Sequence, residues 1–293
     1  AIKSFINREA PKIKGIKNGE KIIKNDNFDI EIPKIISNLQ NSYIFLQGPP
    51  GSGKTYQASN AIIELLKKNK KIAVTANSHK VIHTLLEKVE NLASKQKYIF
   101  KGLKKGNPDD PDTFYDGKFI KTDRNEKHYI DGLKHNKILL YAGTKYHLSQ
   151  WYYQNELDYL FVDEASQISV ADLVALGGIA KNIILIGDQM QLGQPTQGSH
   201  PGESGCSVLD YLLEGKDTIA NNRGIFLNKT YRLHPQINSF ISENFYENRL
   251  LANQENINRK IEYKKNSIIK SEGIHTISMN HEDRSQQSIE EFE

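Results

Sequence analysis

The stretch LQGPPGSGKT, residues 46–55, follows the apolar run Tyr43-Ile44-Phe45 and opens into the segment TYQASNAIIELLKK. It matches the pattern G-x-x-x-x-G-K-[ST] at every fixed position, and its flanks supply the strand, loop and helix that the pattern requires. Its glycines let the backbone curl so that successive N–H groups point at phosphate oxygens, in front of a helix N-terminus. The alternative is an ordinary glycine-rich turn before a helix. We interpret the stretch as a phosphate-binding loop.

The loop predicts a nucleotide and a divalent cation as ligands. Lys54 is expected to reach the β and γ phosphates, and the Thr55 hydroxyl is expected to hold Mg²⁺. The predicted nucleotide-binding residues are Gly48, Pro49, Pro50, Gly51, Ser52, Gly53, Lys54, Thr55 and Tyr56. Such a loop alone does not distinguish a kinase from a GTPase or a motor.

A pair of carboxylates follows a second apolar run in LDYLFVDEASQ. Asp163 is placed to hold the Mg²⁺ shell, and Glu164 is placed to polarise the attacking water as a general base. An ordinary loop start or helix cap is the alternative reading. The phosphate loop upstream favours the catalytic one.

Two further segments carry polar groups that suit phosphate chemistry. In IILIGDQMQLGQP a strand runs into Asp188, with Gln189 and Gln191 beyond it, and a neutral amide there can hydrogen-bond a γ-phosphate or its water. In FLNKTYRLHPQINSFIS, Arg232 ends a short strand, and an arginine entering such a site stabilises phosphoryl transfer. A surface salt bridge is an equal alternative for Arg232 on these grounds alone.

The middle of the chain alternates strands with helices, which predicts an α/β fold with a parallel sheet covered on both faces. The expected strands are 43–47, 71–76, 137–142, 159–163 and 182–187, and the expected helices are 55–68, 79–95, 170–176 and 204–213. Residues 103–136 are polar and rich in turn residues, so we expect an excursion outside the core.

Composition limits the class of protein. The chain has 293 residues, 38% hydrophobic and 25% charged, which predicts about two globular domains. Its formal net charge is only +4, but Glu64–Lys105 holds eleven lysines against three glutamates, a bias suited to a phosphate backbone or to a solvated helix face. Cys206 is the single cysteine, which excludes a disulfide framework and fits a reducing, cytoplasmic setting. The sequence shows no membrane span, and its termini suggest a fragment.

Five segments in order resemble motifs I, Ia, II, III and IV of superfamily 1B helicases, the group of the nonsense-mediated-decay helicase and the Okazaki-fragment nuclease-helicase. They are GPPGSGKT, VTANSHKVIHTLLEKV, DEASQ, GDQMQL and TYRLHPQINSFIS, and the resemblance covers about residues 40–251. NSHKVIHTLL and QPTQGSHPGESG resemble bacterial proteins in which a RecB-like nuclease precedes such a helicase. This likeness implies a linked nuclease domain in the full-length protein and favours DNA over RNA.

The resemblance implies a P-loop NTPase with two RecA-like domains that bind ATP between them and step along single-stranded nucleic acid, usually 5′ to 3′. We expect a flank at 1–35, a RecA-like domain 1A at 36–222 with an insertion at about 103–136, and the beginning of a RecA-like domain 2A at 223–293. By matching position, Gln191 senses the γ-phosphate, Arg232 enters the site from the second domain, and Tyr231 contacts adenine.

Nucleic acid is expected to contact strand ends. Asn77, Ser78, His79 and Lys80 offer groups that take phosphates without reading bases, and Thr144 and Lys145 match another backbone-contacting motif of the family. Helix capping is the alternative for these positions. Trp151, Tyr152 and Tyr153 can stack bases or pack on the core.

Two departures from the family pattern stand out. No clear glutamine motif precedes the phosphate loop, since Gln40 matches poorly, and the chain ends before motifs V and VI. The sequence thus predicts a fragment of an ATP- and Mg²⁺-dependent helicase or translocase, and the missing final arginine of motif VI predicts that the fragment alone binds nucleotide weakly and hydrolyses it poorly. The alternatives are an ATP-binding regulatory or scaffold module without productive unwinding, and a phosphoryl-transfer enzyme acting on a small molecule.

Overall fold

The computed structural model describes residues 1–25, 27–191, 193, 198, 200–261 and 272–274. The helices of this part are α1 (Ile2–Ile6), α2 (Phe28–Ser37), α3 (Lys54–Lys67), α4 (His79–Lys95), α5 (Glu126–Lys134), α6 (Lys145–Leu148), α7 (Val170–Leu176), α8 (Val208–Leu213) and α9 (Pro235–Phe245). The strands are β1 (Tyr43–Gln47), β2 (Ile72–Thr75), β3 (Gly102–Lys105), β4 (Ile120–Asp123), β5 (Leu140–Ala142), β6 (Leu157–Val162), β7 (Ala180–Gly187), β8 (Gly224–Phe226), β9 (Lys229–Thr230) and β10 (Leu251–Ala252).

Eight strands form one sheet in the order β4-β3-β5-β2-β6-β7-β1-β8, and every pairing in it is parallel. The α/β parallel-sheet fold predicted from the alternating pattern is therefore confirmed. Parallel strands end at one edge of a sheet, so the loops that follow β1, β6 and β7 lie side by side, because these strands are neighbours.

Each face of the sheet carries its own hydrophobic cluster. Alternate residues of β1 point to opposite faces, with Ile44 and Leu46 in one cluster and Tyr43 and Phe45 in the other. Buried side chains of α2, α3 and α4 complete the first cluster, and those of α1, α5, α7 and α8 complete the second. The nearly continuous apolar runs seen in the sequence follow from this double coverage.

The segment 103–136 was expected to lie outside the core, and this is wrong for two of its parts. β3 pairs with β5 and β4 pairs with β3, so both strands extend the main sheet. Burial alternates along β3, and Lys104 is fully buried. An edge of the sheet built from short strands with lysines gives no apolar run, which is why the pattern was not visible.

Two further expectations need correction. The strand expected at 224–227, as the opening of a second domain, comprises Gly224–Phe226 and pairs with β1 at the edge of the main sheet. The helix expected at 204–213 begins at Val208, because the side chain of Ser207, and not that of Ser204, caps its N-terminus. The domain boundaries themselves stay a prediction. Most of the segment QPTQGSH lies outside the described residues.

The N-terminal residues are part of the fold. Phe5 of α1 is fully buried between the rings of Tyr43 and Tyr211. Helix α2 packs along α3, where the side chain of Asn60 donates to the carbonyl of Asp29 at 2.9 Å. Within the described residues, no helix is long and apolar enough to cross a membrane.

Candidate functional site

The phosphate loop joins a buried strand to a helix. All of β1 is buried, and α3 begins at Lys54 directly after the loop. Gly51 and Gly53 have φ angles of +74° and +89°, values that residues other than glycine adopt only with backbone strain. Glycine at these two positions lets the loop curl without that strain.

The side chain of Lys54 folds back over the loop. Its Nζ donates to the carbonyl oxygen of Gly48 at 2.6 Å. A Cβ on Gly48 would collide with the aliphatic carbons of Lys54, so glycine is needed for the lysine to lie across the loop. This places the ammonium group over the curled backbone of the loop.

Two carboxylates follow β6, two strands away from β1. Asp163 is 3% exposed, and its Oδ1 accepts from the backbone N–H of Glu164 at 3.0 Å. Burial, with repulsion from Glu164, raises the pKa of Asp163 to about 6, although the cations of Lys54 and Lys88 act in the opposite direction. Glu164, the second carboxylate of the pair, lines the same cavity as Lys54.

The loop after β7 presents three polar side chains. Gln191 donates from Nε2 to Oδ2 of the fully buried Asp188 at 3.3 Å. Gln189 turns the other way and accepts from Nε2 of Gln47 at 2.8 Å, at the end of β1. Of the two glutamines considered from the sequence, only Gln191 faces the nucleotide site.

The segment that carries Arg232 is hydrogen-bonded to the phosphate loop. The Thr230 hydroxyl donates to the carbonyl of Pro50 at 2.9 Å, and the N–H of Tyr231 donates to the carbonyl of Gly51 at 2.9 Å. These two bonds hold Arg232 beside the loop.

These parts enclose a cavity of about 670 Å³. It is lined by Pro49, Pro50, Gly51, Ser52, Gly53, Lys54, Thr55, Tyr56, Lys88, Glu164, Gln191, Tyr231, Arg232 and Arg259. The structure thus brings together the four side chains expected to be catalytic, Lys54, Glu164, Gln191 and Arg232, which come from distant parts of the chain. Their individual roles stay predictions.

Two cationic residues of this cavity were missed from the sequence. Lys88 lies on α4, and Arg259 follows a short 3₁₀ helix and donates from Nη2 to the carbonyl of Tyr231 at 3.0 Å. Lys88 lies within the segment that resembles motif Ia but was not singled out there, and no motif marks Arg259. Only the solved fold shows that they converge on the phosphate loop.

A second cavity of about 640 Å³ adjoins the first and shares Ser52, Gly53, Tyr56 and Tyr231 with it. Its other wall comes from the N-terminal flank, through Asn27, Phe28 and Asp29. Asp29 accepts from Nε2 of Gln57 at 2.7 Å. The flank carried no recognisable motif, so this wall was also missed.

The residues expected to hold Mg²⁺ fit a hard cation. Thr55 lines the cavity, and Asp163 is a buried carboxylate next to a second carboxylate, an arrangement that a divalent ion would relieve. Oxygen ligands of these two kinds are those that Mg²⁺ prefers.

The residues expected to contact nucleic acid lie at one edge of the sheet. Asn77–Lys80 follow β2 and Thr144–Lys145 follow its neighbour β5. The Ser78 side chain caps α4 by accepting from the N–H of Val81, so the capping alternative holds for this residue. Lys145 forms an ion pair with Asp172 at 2.6 Å, and Thr144 makes no side-chain cap bond.

The three adjacent aromatics divide between core and surface. Tyr152 and Tyr153 are buried, whereas Trp151 is 75% exposed. The two tyrosines therefore pack on the core, and of the three aromatic residues Trp151 alone is accessible to a partner.

Comparison with known proteins shows that most of this chain resembles AAA domains and helicases. An AAA domain family matches residues 33–196, and a second AAA domain family matches residues 206–292. The DNA replication ATP-dependent helicase/nuclease dna2 of Schizosaccharomyces pombe is 28% identical over 224 residues, which are 74% of this chain and 15% of that protein. The RecBCD enzyme subunit RecD of Buchnera aphidicola is 27% identical over 289 residues, which are 84% of this chain and 44% of that protein.

A third relative is a human protein named probable helicase with zinc finger domain, 25% identical over 243 residues, which are 73% of this chain and 12% of that protein. The chain spans less than half the length of each of these relatives. The resemblance to superfamily 1 helicases is confirmed. The link to RecB-like nuclease fusions stays a prediction.

Proposed function

The chain belongs to the AAA domain family, and from this premise we propose that it is the ATP-hydrolysing part of a helicase or translocase that moves along single-stranded nucleic acid. The observation that carries the proposal is the single cavity in which Lys54, Glu164, Gln191 and Arg232 converge. A scaffold without turnover has no need to keep all four.

The chemistry is the in-line attack of water on the γ-phosphate of ATP. Lys54 binds the phosphates, and Glu164 takes the proton from the attacking water. Gln191 orients the γ-phosphate or that water, and Arg232 stabilises the charge of the transition state. Thr55 and Asp163 would hold Mg²⁺, which would supply positive charge to neutralise the phosphate oxygens.

The second cavity is suited to the nucleoside. It adjoins the phosphate site, and its lining includes the aromatic ring of Tyr231 and the carboxylate of Asp29. A purine can stack on the ring, and its amino group can donate to the carboxylate.

The partner in this proposal is single-stranded DNA, along which the protein moves in the 5′ to 3′ direction. Asn77–Lys80 and Thr144–Lys145 follow the neighbouring strands β2 and β5, and Trp151 is exposed in the segment between α6 and β6. Such groups contact phosphates and stack bases without reading sequence. The names of the relatives, two of which include DNA or the RecBCD enzyme, support DNA over RNA.

The test is ATP hydrolysis by the full-length protein, with and without single-stranded DNA or single-stranded RNA. We expect strong stimulation by DNA, and loss of turnover in Lys54→Ala and Glu164→Gln. Glu156→Gln is the matched control, because this exposed glutamate lies beside the same strand at its opposite end. Hydrolysis that neither polymer stimulates would refute the motor, and full turnover in Glu164→Gln would refute the assigned base.

A further inference from the structure

The orientation of Gln191 depends on a buried carboxylate. Asp188 is fully buried, and its Oδ2 accepts from Nε2 of Gln191 at 3.3 Å. Its Oδ1 accepts from the N–H of Met190 at 3.4 Å. Both contacts are long, so they alone fix the carboxylate only weakly.

A tyrosine from a distant part of the chain makes the shortest bond to this carboxylate. The Tyr246 hydroxyl donates to Oδ2 of Asp188 at 2.7 Å, to the same oxygen that holds Gln191. Tyr246 is 2% exposed, and its ring packs against Phe226 of β8. Burial and the neighbouring Asp188 raise the pKa of Tyr246, so the hydroxyl keeps its proton and donates it.

The position of Tyr246 links this bond to the arginine of the site. Arg232 stands just before α9, and Tyr246 follows the last residue of that helix. The segment therefore reaches the nucleotide cavity twice, directly through Arg232 and indirectly through Tyr246, Asp188 and Gln191. A shift of α9 would disturb both groups together.

We propose that Tyr246 is a positioning residue for the γ-phosphate sensor, acting on Gln191 through Asp188. The inference rests on the proposed function, because it takes Gln191 to contact the γ-phosphate. In physical terms, the hydroxyl holds a buried carboxylate in the one orientation that leaves the Gln191 amide facing the cavity. Without it, the amide gains rotational freedom and contributes less to γ-phosphate binding.

Tyr246→Phe tests this with the smallest change, because it keeps the ring and its packing and removes only the hydroxyl. The readout is the preference for the γ-phosphate, the Kd of ADP divided by the Kd of a non-hydrolysable ATP analogue. We expect this ratio to fall roughly tenfold, the effect of losing one hydrogen bond to a charged group. Asp188→Asn is a second variant, which keeps the shape of the side chain and weakens both bonds, and the same fall is expected.

A double-mutant cycle separates positioning from general stability. Gln191→Ala should lower the ratio, and adding Tyr246→Phe to it should lower the ratio no further, because the hydroxyl then has no sensor to position. Tyr129→Phe is the control, since this buried hydroxyl donates to the carbonyl of Asp123 at 2.8 Å, in a different part of the fold. It should lower the melting temperature and leave the ratio unchanged.

The contrary outcomes are distinct from failure of the proposed function. Additive losses in the cycle, an unchanged ratio in a folded Tyr246→Phe protein, or an equal fall in Tyr129→Phe would each overturn the positioning role. These measurements need no turnover. Absence of DNA-stimulated hydrolysis in the wild-type protein would instead count against the motor, whatever the cycle shows.

Discussion

Gly51 of the phosphate loop lies in direct contact with Arg232. A Cβ built on Gly51 would collide with the Cβ of Arg232 and lie 3.0 Å from Oγ1 of Thr230. The loop and the arginine segment are thus fitted to each other before any nucleotide is considered. This close packing is possible only because Gly51 has no Cβ atom.

This contact predicts the effect of Gly51→Ala on stability. The φ of Gly51 is +74°, so alanine costs about 1–2 kcal/mol of strain, and the collision with Arg232 adds to it. Gly15→Ala is the control, because Gly15 has a φ of +85° and nothing within 4 Å of the added carbon. The free energy of unfolding without nucleotide should fall further for Gly51→Ala. Equal losses would show that the contact with Arg232 is not close.

The assigned role of Arg232 predicts a loss in rate. Arg232→Ala should lower kcat for DNA-stimulated ATP hydrolysis by about 10³-fold, the effect of removing an arginine that stabilises phosphoryl transfer. Steady-state kinetics measure this, with Arg124→Ala as the control, because Arg124 is exposed and remote from the cavity. A kcat close to that of the wild type would contradict the catalytic role and favour the alternative that Arg232 forms a surface salt bridge.

The second cavity predicts that Asp29 contributes to recognition of the base. Asp29→Asn replaces one acceptor oxygen by a donor, so we expect weaker binding of ATP, by roughly tenfold for a lost hydrogen bond to a charged group. Inorganic tripolyphosphate is the control ligand, because it fills the phosphate site and carries no base. Calorimetric titration should show its affinity unchanged. A parallel loss for both ligands would mean that Asp29 acts only through the packing of α2 on α3.

Glu90 anchors the residues that lead into β4, the outermost strand of the sheet, and should therefore contribute to stability. Its carboxylate, 8% exposed, accepts from the N–H groups of Lys118, Phe119 and Ile120 and from the Tyr115 hydroxyl, at 2.6–3.1 Å. Glu90→Gln should lower the free energy of unfolding by about 2 kcal/mol or more, since hydrogen bonds to a charged group are lost.

The matched control for Glu90 is Glu87→Gln, on the exposed side of the same helix. Urea unfolding should show no more than about 0.5 kcal/mol for this surface change. Similar losses for the two variants would contradict the anchoring role of Glu90.

His147 predicts a pH dependence of stability. It is 6% exposed, and burial, with a smaller contribution from Lys105, lowers its pKa to about 3. Below its ordinary pKa of about 6.5 the unfolded chain binds a proton that the folded protein does not. The stabilisation by the neutral imidazole is therefore complete above pH ~6.5 and is lost as the pH falls towards 3, by about 2 kcal/mol at pH ~5.

His147→Gln checks this assignment, because glutamine keeps a polar side chain near Tyr153 and does not titrate. The slope of unfolding free energy against pH between about 6.5 and 4 should be shallower in the variant by up to one proton. All other ionisable groups are common to the two proteins, so their contributions cancel in the comparison. Identical slopes would contradict the assignment.

The central strands and the core of the site were readable from the sequence. Apolar runs at β1, β6 and β7 end in LQGPPGSGKT, DEASQ and GDQMQL, and parallel neighbours bring such ends together. The edge strands were not readable, because β4 has a single buried residue, Ile120. Asp29, Lys88 and Arg259 were missed for another reason, since single polar residues become part of a cavity only through long-range packing.

The bond from Lys54 to Gly48 bears on which ligands the loop selects. The ammonium already has a neutral oxygen as its partner, so an incoming anion must displace that carbonyl or share the cation with it. What is gained in such an exchange is the difference between an uncharged acceptor and a charged one, and it grows with the negative charge at the terminal phosphate. The loop is therefore expected to favour triphosphates, whose chain brings more negative charge near the ammonium than inorganic monophosphate does, because the carbonyl of Gly48 competes for the same cation.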